Sequence, residues 1–149
     1  MSDVARVLLT AAVLSALGMS VFAWRLTRIE PLDPGRVIGE LHLAQWAALL
    51  LAAIGAIPIG YAVAHEGVLA GTVDVSLGAM FVIFAAFLQR REPRDALLLA
   101  AVGFVVHALI DIAHRPGWLS TEIVPRWYVV GCATYDVYLG ALCYWARRR

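Results

Sequence analysis

His107, Asp111 and His114 follow one another at a spacing of four and then three residues. On a helix that spacing stacks all three side chains on one face. Neutral imidazole and carboxylate are ligands for Zn²⁺ and other first-row divalent ions. An ion held there would activate a bound water as a nucleophile for hydrolysis. Asp136, with Cys132 four residues before it, and Asp74 lie in two further apolar stretches, and any of them can complete a shell begun by the first three. The candidate metal ligands are therefore His107, Asp111, His114 and Asp136, with Asp136 and Asp111 as the candidate catalytic carboxylates. Two other readings fit the same residues. One is a hydrogen-bonded network that fixes helix packing; the other is a proton or ion path built from Asp and His.

Other polar residues are weighed beside these. Asp74, Cys132, His65 and Glu66 are expected to line a polar cavity, although a His-Glu-Gly sequence at 65–67 also reads as a solvated turn. Glu40 and His42 sit near the far end of their segment and read as interfacial residues. Tyr128, Tyr135 and Tyr138 read as packing and interface residues. His107 and His114 share one helix side, so the two cannot clamp a haem between them.

The elements that must carry these groups follow from composition. Of 149 residues, 62% are hydrophobic and 15% charged, whereas soluble domains have about 45–50% and about 25%. A chain this small cannot hide so much apolar surface inside itself, so a bilayer is the expected solvent. Five apolar segments, at about 7–26, 37–64, 67–88, 96–114 and 127–145, each come near the ~20 residues that cross a hydrocarbon core of ~30 Å. In lipid each backbone polar group needs an internal partner, so the segments are expected to be helices. The expected fold is all-α: one integral membrane bundle of five transmembrane helices in a single domain spanning residues 1–149. Short connections rich in Pro, Gly, Asp and Glu separate the segments. The run after Arg6 also resembles a signal peptide, but its length favours a retained helix.

Orientation follows from arginine, since all 12 basic residues are Arg. Arg25, Arg28, Arg36, Arg90, Arg91, Arg94 and Arg147 to Arg149 fall on one side of a five-helix arrangement; Arg6, Arg115 and Arg126 fall on the other. Positive residues favour the cytoplasm, so the N-terminus is expected outside and the C-terminus cytoplasmic. Rise per residue then puts Asp74, His107 and Asp136 roughly 10–15 Å below the outer surface. Cys132 and Cys143 lie too far apart along one helix to bridge, so no intrachain disulfide is expected.

His107, Asp111 and His114 are loosely similar to the ligands of membrane-embedded metal hydrolases of the adiponectin-receptor and ceramidase type, which hold zinc with His and Asp on helices. The similarity covers those three residues alone, and the chain is too short for the seven helices of that family. It implies zinc and a lipidic substrate.

The leading expectation is thus a multi-pass protein of the cell membrane (the inner membrane, if bacterial) with a divalent metal near the outer leaflet and a lipidic or amphipathic substrate from the bilayer. A proton- or ion-coupled transporter or channel subunit working as a homo-oligomer is the first alternative, and an accessory subunit of a membrane complex the second. A net charge of +1 gives no field for nucleic acid. No phosphate loop or dinucleotide fingerprint is present.

Overall fold

The computed structural model describes residues 3–64, 72–114 and 126–149. Every regular element among them is a helix: α1 Asp3–Leu26, α2 Pro34–Ala64, α3 Thr72–Leu88, α4 Pro93–His114 and α5 Arg126–Arg148. Three of these, α1, α2 and α4, are long and apolar enough to cross a membrane; α3, with 17 residues, is shorter.

Local chemistry sets the helix starts. Pro34 and Pro93 occupy first helical positions, where a missing N–H costs nothing and the fixed φ suits a helix. The Asp33 carboxylate accepts a hydrogen bond from Gly35 N at 2.7 Å, capping α2. At the end of α1, the amides of Thr27, Arg28 and Ile29 close tight turns onto carbonyls of the last turn.

The helices pack as two pairs. α2 lies along α3, α4 lies along α5, and α4 joins the pairs by packing on α2; α1 sits at the edge against α5 and α2. Glycine allows both close approaches. A Cβ at Gly78 would collide with the Gly55 carbonyl oxygen, and one at Gly55 would stand 2.9 Å from the Gly78 carbonyl oxygen. At the other pair, a Cβ on Gly140 would stand 3.2 Å from the Ala101 carbonyl oxygen. Small residues that let backbones touch are the usual adhesive where lipid supplies no hydrophobic drive between helices. Along α1, a hydrogen bond of 2.6 Å between Ser15 and Tyr135 ties the edge helix to α5.

Large apolar side chains cover the outer faces of all five helices, among them Leu14, Trp46, Ile83, Leu109 and Val137. Water would not tolerate such a surface; lipid does. Inside, Leu51, Leu97, Phe104 and Leu139 are fully buried and belong to the apolar core.

α2 carries Pro58, which has no N–H for the Ile54 carbonyl. The helix is 31 residues long, about 46 Å at 1.5 Å per residue, more than a bilayer core of ~30 Å.

Candidate metal centre

Two pairs of side chains, each one helical turn apart, build the centre. His107 and Asp111 project from α4, and Cys132 and Asp136 project from α5. A spacing of four puts each pair on one face, and the contact at Gly140 and Ala101 brings the two faces together. All four residues are buried, Asp136 completely at 0% exposure. One ligand-capable atom from each, imidazole nitrogen, thiol sulfur or carboxylate oxygen, lies within 4.8 Å of all the others. Donors around a tetrahedral ion stand about 3.2–3.8 Å apart, given metal–ligand bonds of about 2.0–2.3 Å. At up to 4.8 Å the group is about 1–1.6 Å wider than a tetrahedral shell.

Its hydrogen bonds leave room for a cation. His107 Nδ1 donates to Asp136 Oδ2 at 2.7 Å. The same nitrogen lies 3.5 Å from Asp111 Oδ2, but its proton is committed to Asp136. Asp111 Oδ2 and Asp136 Oδ1 are buried with no hydrogen-bond partner. A buried acceptor left without a partner costs about 1–3 kcal/mol, more when charged. A divalent ion would satisfy both oxygens at once, and a set of one nitrogen, one sulfur and two oxygens suits a borderline ion such as Zn²⁺. Around the set, the Cys132 thiol donates to Tyr128 Oη at 3.6 Å. The Phe81 ring stands edge-on to His107, with centroids 4.7 Å apart.

His114 stands apart from this group. Its Nδ1 donates to the Ile110 carbonyl at 2.8 Å, and its Nε2 lies 2.9 Å from Asp74 Oδ1. Both ring nitrogens thus face acceptors, so a proton must lie between Nε2 and the carboxylate, and neither nitrogen is free for a metal. Asp74, on α3, is likewise engaged with His114 rather than with the four-residue group. The position expected of His114 in the shell is taken by Cys132. His65 and Glu66 lie outside the described residues.

Two spaces flank the centre. A cavity of about 30 Å³ touches Pro58, Asp74, Phe81, His107, Asp111 and His114. It has room for one or two water molecules. On the outer surface, a groove of about 380 Å³ runs between α4 and α5 and is lined by Asp111, Ile112, Val129, Ala133, Thr134 and Val137. Ile112 and Val137 are half exposed, so the groove faces the surroundings of the bundle. Asp111 borders both spaces.

At the opposite end of α2, Glu40 is buried between two arginines. Its Oε1 accepts from Arg36 Nε at 3.1 Å and lies 3.3 Å from Arg94 Nε. The sequence hinted at this only through the spacing of four between Arg36 and Glu40; Arg94 arrives from another helix.

Comparison of the chain with protein-family models, with curated proteins and with solved structures finds no match.

Proposed function

We propose that the chain is a multi-pass membrane protein whose His107, Asp111, Cys132 and Asp136 hold a divalent metal, and that the centre hydrolyses a lipidic or amphipathic substrate. One observation carries this reading: four buried ligand-capable groups, two with unsatisfied oxygens, sit between a water-sized cavity and a groove on the apolar outer face. The ion would supply Lewis acidity and an activated water. Water reaches the centre from the cavity side, past His107 and Asp111. An apolar substrate reaches it from the groove between α4 and α5. With His107 and Asp136 engaged as ligands, the reacting water would enter as a fifth ligand, and Asp111, which borders both the cavity and the groove, is the group to take up or return its proton.

All five helices cross the bilayer in this reading, with the C-terminus cytoplasmic. The arginines support it: the starts of α2 and α4 and the end of α5 meet through Arg36, Arg94 and Arg147. Along their helices, the fully buried Leu51, Leu97, Phe104 and Leu139 lie between the centre and the Glu40 end. Apolar packing there favours an enzyme closed on one side over an ion path that runs right through.

Metal analysis of the purified protein tests the proposal. Stoichiometric metal in the wild type, lost in His107→Ala, is the expected result. A correctly folded wild type that takes up no zinc, manganese, iron or cobalt would sink it.

A further inference from the structure

The far end of the bundle carries a second polar cluster that the proposed chemistry does not use. Arg36 is buried among helices, where a guanidinium is costly unless all its donors are met. Its Nε donates to Glu40 Oε1 at 3.1 Å and its Nη1 donates to the Ile29 carbonyl at 3.0 Å. Its Nη2 is buried with no partner. Nε and Nη2 share one edge of the planar group, the edge that binds carboxylates and phosphates side-on. The orphan donor is therefore aimed the same way as Nε, toward the point where Glu40 meets Arg94.

Charge at that point does not balance. Glu40 Oε1 is shared by Arg36 and Arg94, two cations against one carboxylate. Arg147 is anchored beside them by a 3.2 Å hydrogen bond from its Nε to the Arg94 carbonyl. The starts of α2 and α4 lie at the same end, and their helix dipoles add positive potential. The Arg94 side chain is 55% exposed, so the junction borders the surface at that guanidinium.

We propose that this junction is a binding site for a phosphate group, held by Arg36 Nη2 and the guanidinium of Arg94, with Arg147 at the rim. A phosphate oxygen would satisfy the orphan donor and cancel the surplus charge. Two sources carry that chemistry: the headgroup of an anionic phospholipid, which basic clusters at helix ends recruit, and free inorganic phosphate.

Full-length protein in neutral maltoside micelles separates them. Its thermal unfolding is followed during titration with dioctanoyl phosphatidylglycerol, with dioctanoyl phosphatidylcholine, and with inorganic phosphate against chloride at matched ionic strength. Saturable stabilisation by phosphatidylglycerol alone assigns a headgroup; saturable stabilisation by inorganic phosphate as well assigns a site for the anion itself. In either case Arg94→Gln raises the half-saturating concentration about tenfold, the loss expected for one charge-assisted hydrogen bond. Arg28→Gln, which removes an exposed charge stacked on Trp24 at the same end, leaves it unchanged. Arg36→Gln abolishes the effect if that variant folds, and Arg94→Gln decides the matter if it does not. No saturable stabilisation by either ligand overturns the proposal. So does an equal loss in Arg28→Gln and Arg94→Gln, which would mean diffuse attraction, and so does an unaffected Arg94→Gln.

Discussion

His107 Nδ1 donates to Asp136 Oδ2 across 2.7 Å, joining α4 to α5 in the buried interior. That proton stands where a metal ion would stand. Ligand nitrogen and oxygen already converge, and Asp111 and Cys132 flank them. Replacing the proton by an ion keeps the attraction and adds bonds to the two oxygens that lack partners.

Each ligand should matter, and Cys132 can be followed by absorption spectroscopy. Cobalt(II)-loaded wild type is expected to show the intense near-ultraviolet charge-transfer band of a thiolate–metal bond. Cys132→Ser should lose the band and keep weaker cobalt binding. Asp136→Asn, which preserves shape, should lower metal affinity by at least about tenfold, since a neutral amide replaces an anionic donor. A band that survives in Cys132→Ser removes the sulfur from the shell.

Metal and fold should be linked. A ligand that binds only the folded chain stabilises it by about 2.7 kcal/mol at a free concentration 100 times Kd. Chelator treatment is therefore expected to lower the unfolding temperature, and zinc to restore it. A hydrogen-bonded packing network without metal would be indifferent to both.

Metal uptake should release protons, because His107 Nδ1 and the Cys132 thiol must lose theirs to become ligands. Affinity then rises with pH: acid restores the proton between His107 and Asp136 and expels the ion, and alkali does the reverse. Isothermal titration of zinc in two buffers of different ionisation enthalpy measures the released protons directly. Proton-neutral binding would contradict the assigned ligands.

Asp74 and His114 should be separable from the centre. Because both nitrogens of His114 are engaged, by Ile110 and by Asp74, His114→Ala and Asp74→Asn are expected to retain wild-type metal content. Both should unfold earlier, by the roughly 1–3 kcal/mol of a part-buried hydrogen bond left unmade. Metal loss in His114→Ala equal to that in His107→Ala would return His114 to the shell.

Helix contact can be tested without altering any polar side chain. Gly78→Ala drives a methyl into the Gly55 carbonyl, and overpacking of this kind costs about 1–3 kcal/mol. Gly18→Ala, on α1, meets nothing within 4 Å, and removing a helical glycine there should be neutral or gain up to about 1 kcal/mol. Thermal unfolding of the two variants side by side reads the difference.

Much of this arrangement was legible in the chain. Long apolar runs announced helices in a bilayer, because lipid length and backbone hydrogen bonding leave few other solutions. The pair His107 and Asp111 was legible because one turn of one helix fixes it. The partition of the remaining polar groups was not. His114 lies three residues beyond Asp111, close enough in sequence to look like a ligand, yet Ile110 and Asp74 take both its nitrogens. Cys132 and Asp136 repeat on α5 the spacing of four found on α4; two matching pairs were the available signal for the four-residue group. Arg94 meeting Glu40 depends on how α2 packs on α4, which no local pattern encodes.

The fully buried apolar side chains Leu51, Leu97, Phe104 and Leu139 have an electrical consequence. In a bilayer, a membrane voltage falls mainly across the least polarisable slab, at about 2.3 kcal/mol per unit charge per 100 mV. With that packing beyond the proposed centre, an ion arriving from the cavity side would cross only the remaining part of the drop. Metal loading of the protein in vesicles is then expected to depend only weakly on an imposed potential.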